Sequence, residues 1–91
     1  MIKVTEDYFI DADESQYILK KDMHRKDKNG NDIYSNLAYC GTIKRCLERL
    51  CEILNRKDIE AKDMTLSEAI KMFNDRNKEF AELMSGIKEV L

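Results

Sequence analysis

Two periods of apolar and polar positions divide this chain. Up to about residue 40 the apolar side chains come in short β-prone clusters. Tyr8, Phe9 and Ile10 form one and Tyr17, Ile18 and Leu19 another, separated by the turn-forming run DADES. From Ile33 to Cys40, Ile33, Leu37 and Tyr39 stand among small polar residues, with Tyr34 on the other parity. Between the second and third of these stretches lies DKNGND, Asp27 to Asp32, whose Asn29 and Gly30 make the strongest short hairpin signal, because both tolerate the positive φ of a tight turn. The pattern predicts an antiparallel three-stranded meander over residues 1–41. A long basic hairpin spans about residues 16–40, and the first strand is either Ile2 to Val4 or Tyr8 to Ile10.

After Gly41 the period changes to that of a helix. Ile43, Cys46, Leu47, Leu50, Cys51 and Leu54 recur at the i, i+3, i+4, i+7 spacing of one face. Gly41 supplies the break and Thr42 the N-cap, so a helix is expected over residues 42–57. Asp58 to Asp63 is acidic and reads as a loop. Thr65, Leu66, Ser67 and Glu68 then form a capping box, in which the threonine oxygen accepts from the third helical N–H and the glutamate reaches back. A long last helix over residues 65–90 follows. The expected fold is a single α+β domain over residues 1–91, with a β-β-β meander and two helices packed on one face of its sheet.

The last helix also carries a heptad seam. Leu66, Ile70, Phe73, Asn77, Phe80, Met84, Ile87 and Leu91 alternate spacings of four and three, and Asn77 is the single polar member. A lone core Asn fixes register and dimeric state in coiled coils, although Phe73 and Phe80 crowd a two-stranded coil and Ala69, Arg76, Leu83 and Val90 do not form a charge ladder. A helix of about 25 residues is about 37 Å long and overhangs strands of about 20 Å. The overhang needs a cover. A homodimer through Phe73, Asn77, Phe80, Leu83, Met84 and Ile87 supplies one, and folding back over the first helix is the other solution.

Composition narrows the function. The 91 residues include one His, no Trp, no Pro and three Gly, without a glycine-rich phosphate loop. No apolar run approaches the ~20 residues of a bilayer span, and the opening MIKVTEDYFI does not read as a signal peptide. The expectation is a cytoplasmic protein with no membrane contact. Cys40, Cys46 and Cys51 are an odd set without a CxxC pair, read as reduced thiols. With His24 the single imidazole, neither a zinc site nor a cysteine nucleophile is expected. Asp11-x-Asp13-x-Ser15 starts like a calcium loop but has Gln16 where glycine belongs, and Asp27-x-Asn29 has its glycine misplaced. No catalytic residue, metal or cofactor is assigned.

The net charge of −2 conceals a patchwork: residues 1–19 carry −4, residues 20–28 +3, residues 42–57 +3 and residues 58–91 −3. Two basic blocks are therefore candidates for partner binding. One is the hairpin arm, Lys20, Lys21, His24, Arg25, Lys26 and Lys28; the other is Arg45, Arg49 and Arg56 on the polar face of the first helix. They suit phosphates, a nucleic-acid backbone or an acidic protein groove. Solvated edge lysines and ordinary helix ion pairs with Glu48 and Glu52 are the simpler explanation of both. Tyr8, Tyr17, Tyr34 and Tyr39 are either base-stacking groups or half-buried strand residues.

Tyr17 and Leu19 in YILKK, Asp27 to Asn31 in the turn, and Tyr39, Gly41, Thr42 and Ile43 at the step into the helix form a pattern. It resembles small phage and prophage accessory proteins of low-GC Gram-positive bacteria, over about residues 8–56. That resemblance implies a non-enzymatic modulator of host machinery, acting as anti-CRISPR proteins do by occupying a nuclease or effector subunit of a defence complex. A small nucleic-acid-binding regulator and a sponge for a nucleotide signal are the alternatives.

Overall fold

The computed structural model describes residues 1–87. They form an α+β chain of four strands and two helices: β1 (Ile2–Lys3), β2 (Tyr8–Ala12), β3 (Tyr17–Lys26), β4 (Asp32–Cys40), α1 (Ile43–Ala61) and α2 (Leu66–Ser85). It divides into two compact units, Met1–Cys46 and the residues from Leu47 onward, the boundary falling inside α1.

The first unit is a β1-β2-β3-β4 antiparallel sheet. It has one strand more than the periodicity predicts. The two alternatives for the first strand both form, because the chain reverses at once: the Val4 N–H donates to the Tyr8 carbonyl at 2.9 Å, and Ile2 and Lys3 fall opposite Ile10 and Phe9. A two-residue strand is too short to leave an alternation in sequence.

Register assigns the faces. Ile10 lies opposite Leu19, which lies opposite Ala38; Tyr8 lies opposite Lys21. This face holds the core, with Leu19 fully buried and Tyr8 and Ile10 nearly so. Burying such side chains contributes about 1.5–3 kcal/mol each. The other face carries the rows Phe9, Lys20, Asn36 and Asp11, Ile18, Tyr39. There the Phe9 and Tyr34 rings meet edge-on at 5.6 Å.

Two of the three hairpin turns, β2–β3 and β3–β4, are built by aspartates. Asp13 Oδ1 accepts from the N–H groups of Ser15 (2.8 Å) and Gln16 (2.9 Å), so the DADES acid that resembles a calcium ligand is a turn former. In the DKNGND turn the Asp27 carbonyl accepts from Gly30 N–H at 3.0 Å, while Asp27 Oδ1 accepts from Asn29 (2.8 Å) and Asn31 (3.0 Å). Gly30, at φ 82°, is the turn residue in the left-handed region. Asn29 is not, so the tight two-residue turn is replaced by a longer one with glycine at its last position.

In α1 the buried positions are Cys46, Leu47, Leu50 and Cys51, on the predicted stripe. Thr42 caps it, its Oγ1 accepting from Arg45 N–H at 3.1 Å. The helix continues to Ala61, through residues read as loop. No Gly or Pro interrupts Asp58 to Ala61, and Asp58 is held by an arginine of α2.

The second unit includes the rest of α1 and α2. Thr65 Oγ1 accepts from Glu68 N–H at 3.1 Å, as a capping box requires. Glu68, however, takes a bond from the threonine hydroxyl at 3.2 Å rather than reaching back to its N–H. The helix ends at Ser85, short of the expected residue 90, in a tightened last turn: Gly86 is right-handed, and the N–H groups of Gly86 and Ile87 donate to the carbonyls of Leu83 and Met84. Leu91 of the predicted seam and the flanking Val90 lie outside the described residues. Among the described residues, no helix is long and apolar enough to cross a membrane.

Candidate functional site

The six basic residues of the hairpin do not form one cationic patch. Lys20 and Lys21 occupy adjacent strand positions and so take opposite faces. Lys20 shares the Phe9 row, and Lys21 sits between Tyr8 and Ser35 on the core-side face. Lys20 Nζ donates to Asp11 Oδ2 at 3.2 Å, and Lys26 Nζ to Asp32 Oδ1 at 2.8 Å. His24 Nε2 meets Asp7 Oδ1 at 2.6 Å. Arg25 and Lys28, both exposed, make no ion pair among the described residues.

His24 owes its position to backbone irregularity. The β3–β4 register slips between Asp22 and Lys26, and His24 adopts φ 55°, a left-handed conformation uncommon for a residue with a side chain. Asp22 Oδ1 accepts the His24 N–H at 2.8 Å and supports this bulge. The bulge turns the imidazole toward Asp7 at the start of β2.

The pairing shifts titration in consistent directions. The Asp11 carboxyl is held below its ordinary value, first by the Ala12 N–H and then by the Lys20 ammonium. Asp13 and Asp27 are lowered by the backbone N–H groups they accept. The Asp32 carboxylate raises the Lys26 ammonium. These acids are the residues that charge counting by blocks misses. Lys26 and Asp32 stand equidistant from Asn29, so the turn alone could have paired them; the Asp7–His24 contact depends on an unforeseen bulge.

Arg45 is exposed in the first turn of α1. In the second unit Arg49 Nη1 donates to Glu52 Oε2 at 2.8 Å and Arg56 Nη2 lies 3.9 Å from the same oxygen, the helix pairing expected of alternating charges.

The predicted seam of α2 divides by exposure. Phe80 is 4 % exposed and Phe73, Met84 and Ile87 are half-buried, whereas Leu66 (77 %), Ile70 and Leu83 are exposed. Asn77 Oδ1 accepts from Cys51 Sγ at 3.4 Å within the chain. Burial pushes the Cys51 thiol up, away from the thiolate a nucleophile needs. Beside this contact a cleft of about 340 Å³ is lined by Glu48, Cys51, Asn55, Asn77, Phe80 and Met84. One turn away Arg76 bonds Asn55 Oδ1 at 2.7 Å and Asp58 Oδ2 at 2.5 Å, contacts between distant positions that no sequence periodicity signals.

All three cysteines are free thiols. Among the described residues no cluster of His, Cys, Asp and Glu has the makings of a metal site. The chain matches no family model, no curated protein and no solved structure.

Proposed function

We propose that this chain is a non-enzymatic, phage-type protein that binds a host defence complex in the cytoplasm and inhibits it by occupying the surface of a nuclease or effector subunit, in the manner of an anti-CRISPR protein. The observation that carries the reading is the acid–base pairing along the hairpin. Lys20, His24 and Lys26 are each matched to a carboxylate, so the arm is a mixed-charge surface beside the half-buried Phe9 and Tyr34 and the exposed Tyr39. Aromatic residues with paired polar neighbours are typical of protein–protein contacts. A phosphate track needs cations whose counterions are free to leave. A nucleic-acid regulator and a nucleotide sponge are correspondingly less well supported.

The dimer belongs to this reading as well. Its contact is carried by Leu83 and Met84 on α2, with Phe80 kept in the chain's own interior. Native mass spectrometry of wild type and Leu83→Lys checks it: a dimer that becomes a monomer is expected.

The functional test titrates the purified chain into cleavage reactions of reconstituted CRISPR effector nucleases from low-GC Gram-positive hosts. Inhibition at near-stoichiometric ratios, with a complex on size exclusion, is expected for at least one effector. Absence of both binding and inhibition across the effector types of such hosts rejects the reading.

A further inference from the structure

The two edges of the sheet are guarded very differently. β1 is two residues long and carries Lys3, the usual way of keeping an edge from pairing. β4 is nine residues long and is the other outer strand of the sheet. From Ile33 to Cys40 it has no Lys, no Pro and no charged side chain, so of the devices that ordinarily blunt an edge it carries a bulge alone. Of the two register shifts between β3 and β4, the one at Leu19 and Lys20 places its extra residue, Leu37, on β4, and the other bulges β3. Asn36 and Tyr39 are exposed along it.

The charges at its ends select the occupant. At the entry, Arg25 near the end of β3 and Lys28 in the turn are the hairpin cations that make no ion pair among the described residues, while Asp27 is taken up by turn N–H groups and Asp32 by Lys26. Past the exit, Lys44 and Arg45 stand in the first turn of α1. A second copy added antiparallel would bring Arg25 and Lys28 of one chain toward Lys44 and Arg45 of the other at both ends, with Asp27 and Asp32 already engaged within the hairpin. An extended segment with an uncharged, β-prone centre and acidic residues at its two ends meets no such conflict.

We propose that the β4 edge of this chain, Ile33 to Cys40, accepts an extended, acid-flanked segment of the partner protein as an added strand. This rests on the proposed protein-binding function and gives it a mode of recognition. Main-chain hydrogen bonds supply affinity, while Arg25 and Lys28 at one end and Lys44 and Arg45 at the other favour the acidic flanks. A neutral centre leaves selection to these ends and to side chains beside Tyr34 and Tyr39.

The probe is a synthetic peptide of alternating Thr and Val with two Asp at each end, compared with the same peptide ending in Lys. Amide exchange of residues 33–40 is followed at increasing peptide concentration. The Asp-ended peptide is expected to slow exchange in β4 several-fold and to bind at least about tenfold better than the Lys-ended one, as like-charge juxtaposition requires. The exposed double variant Arg25→Glu/Lys28→Glu should narrow or reverse that preference without loss of the sheet's circular dichroism. No slowing at millimolar peptide, equal binding of both peptides, or protection that rises with protein concentration alone overturns the proposal, the last by assigning the edge to a second copy. A chain that inhibits an effector yet binds neither peptide keeps the proposed function and loses this edge. A chain that takes the peptide yet inhibits nothing does the reverse.

Discussion

The hairpin unit and the helical unit organise polar groups in opposite ways. In the first, carboxylates serve the nearest backbone or the facing strand. Asp13 and Asp27 close turns, and Asp32 faces Lys26 across the hairpin they share. In the second, Arg76 reaches back 18 and 21 residues to Asp58 and Asn55, and Asn77 reaches Cys51. Local pairing makes the first unit legible from sequence and nearly neutral at its surface. Long-range pairing makes the second depend on how its two helices meet, which no spacing rule encodes.

Four substitutions and one condition sharpen that contrast. Leu19→Ala removes a fully buried side chain opposite Ile10 and Ala38 and should cost about 2–5 kcal/mol, a large share of the ~5–15 kcal/mol typical of a domain. Urea melts followed by circular dichroism will measure it. Arg76→Ala leaves Asp58 and Asn55 without their partner in a half-buried setting and should cost about 1–3 kcal/mol. Amide exchange should then rise in both helices while the β3–β4 hairpin is unchanged. An effect confined to α2 would break the claim that these contacts tie the helices together.

Thr65→Ala removes the acceptor for Glu68 N–H and should cost about 1 kcal/mol, with fraying limited to the first turn of α2. Gly30→Ala places a side chain at φ 82° and should cost about 1 kcal/mol, read as a lower melting temperature with the β3–β4 register retained by NMR.

The smallest effect is acid sensitivity. Asp11, Asp13 and Asp27 have folded carboxyls held below the ordinary value of 3.8, so the folded state binds fewer protons than the unfolded one at mildly acidic pH. Their contribution is present above that value and is lost as pH falls through the lower folded values. Melting temperature should decline below about pH 4, and Asp27→Asn should flatten part of the decline. An unchanged profile in that variant would show that its turn does not depend on ionisation.

What the sequence made legible follows the same division. The β3–β4 hairpin, both helix caps and the buried stripe of α1 were readable because each depends on a few neighbouring residues: Gly30 in its turn, Thr42 and Thr65 as acceptors, Cys46 and Leu50 one turn apart. β1 was ambiguous because two residues carry no period. Asp58 to Ala61 misled because acidic composition resembles a loop, while the helix there is supported by Arg76 from another element. The end of α2 at Ser85 is hidden in the sequence because the heptad spacing continues through Gly86 to Ile87 and Leu91. Block charge groups Lys20, His24 and Lys26 into one basic arm because it ignores which acids the strand register brings alongside.

The central claim is that pairing of the hairpin cations leaves a surface for protein rather than phosphate. Fluorescence anisotropy of labelled single- and double-stranded oligonucleotides, titrated with the chain between about 50 and 200 mM salt, tests it most directly. The account predicts no saturable binding at micromolar protein across that range. Tight binding that weakens steeply with salt and disappears in Lys20→Glu/Lys21→Glu would contradict it and identify the hairpin as a nucleic-acid surface.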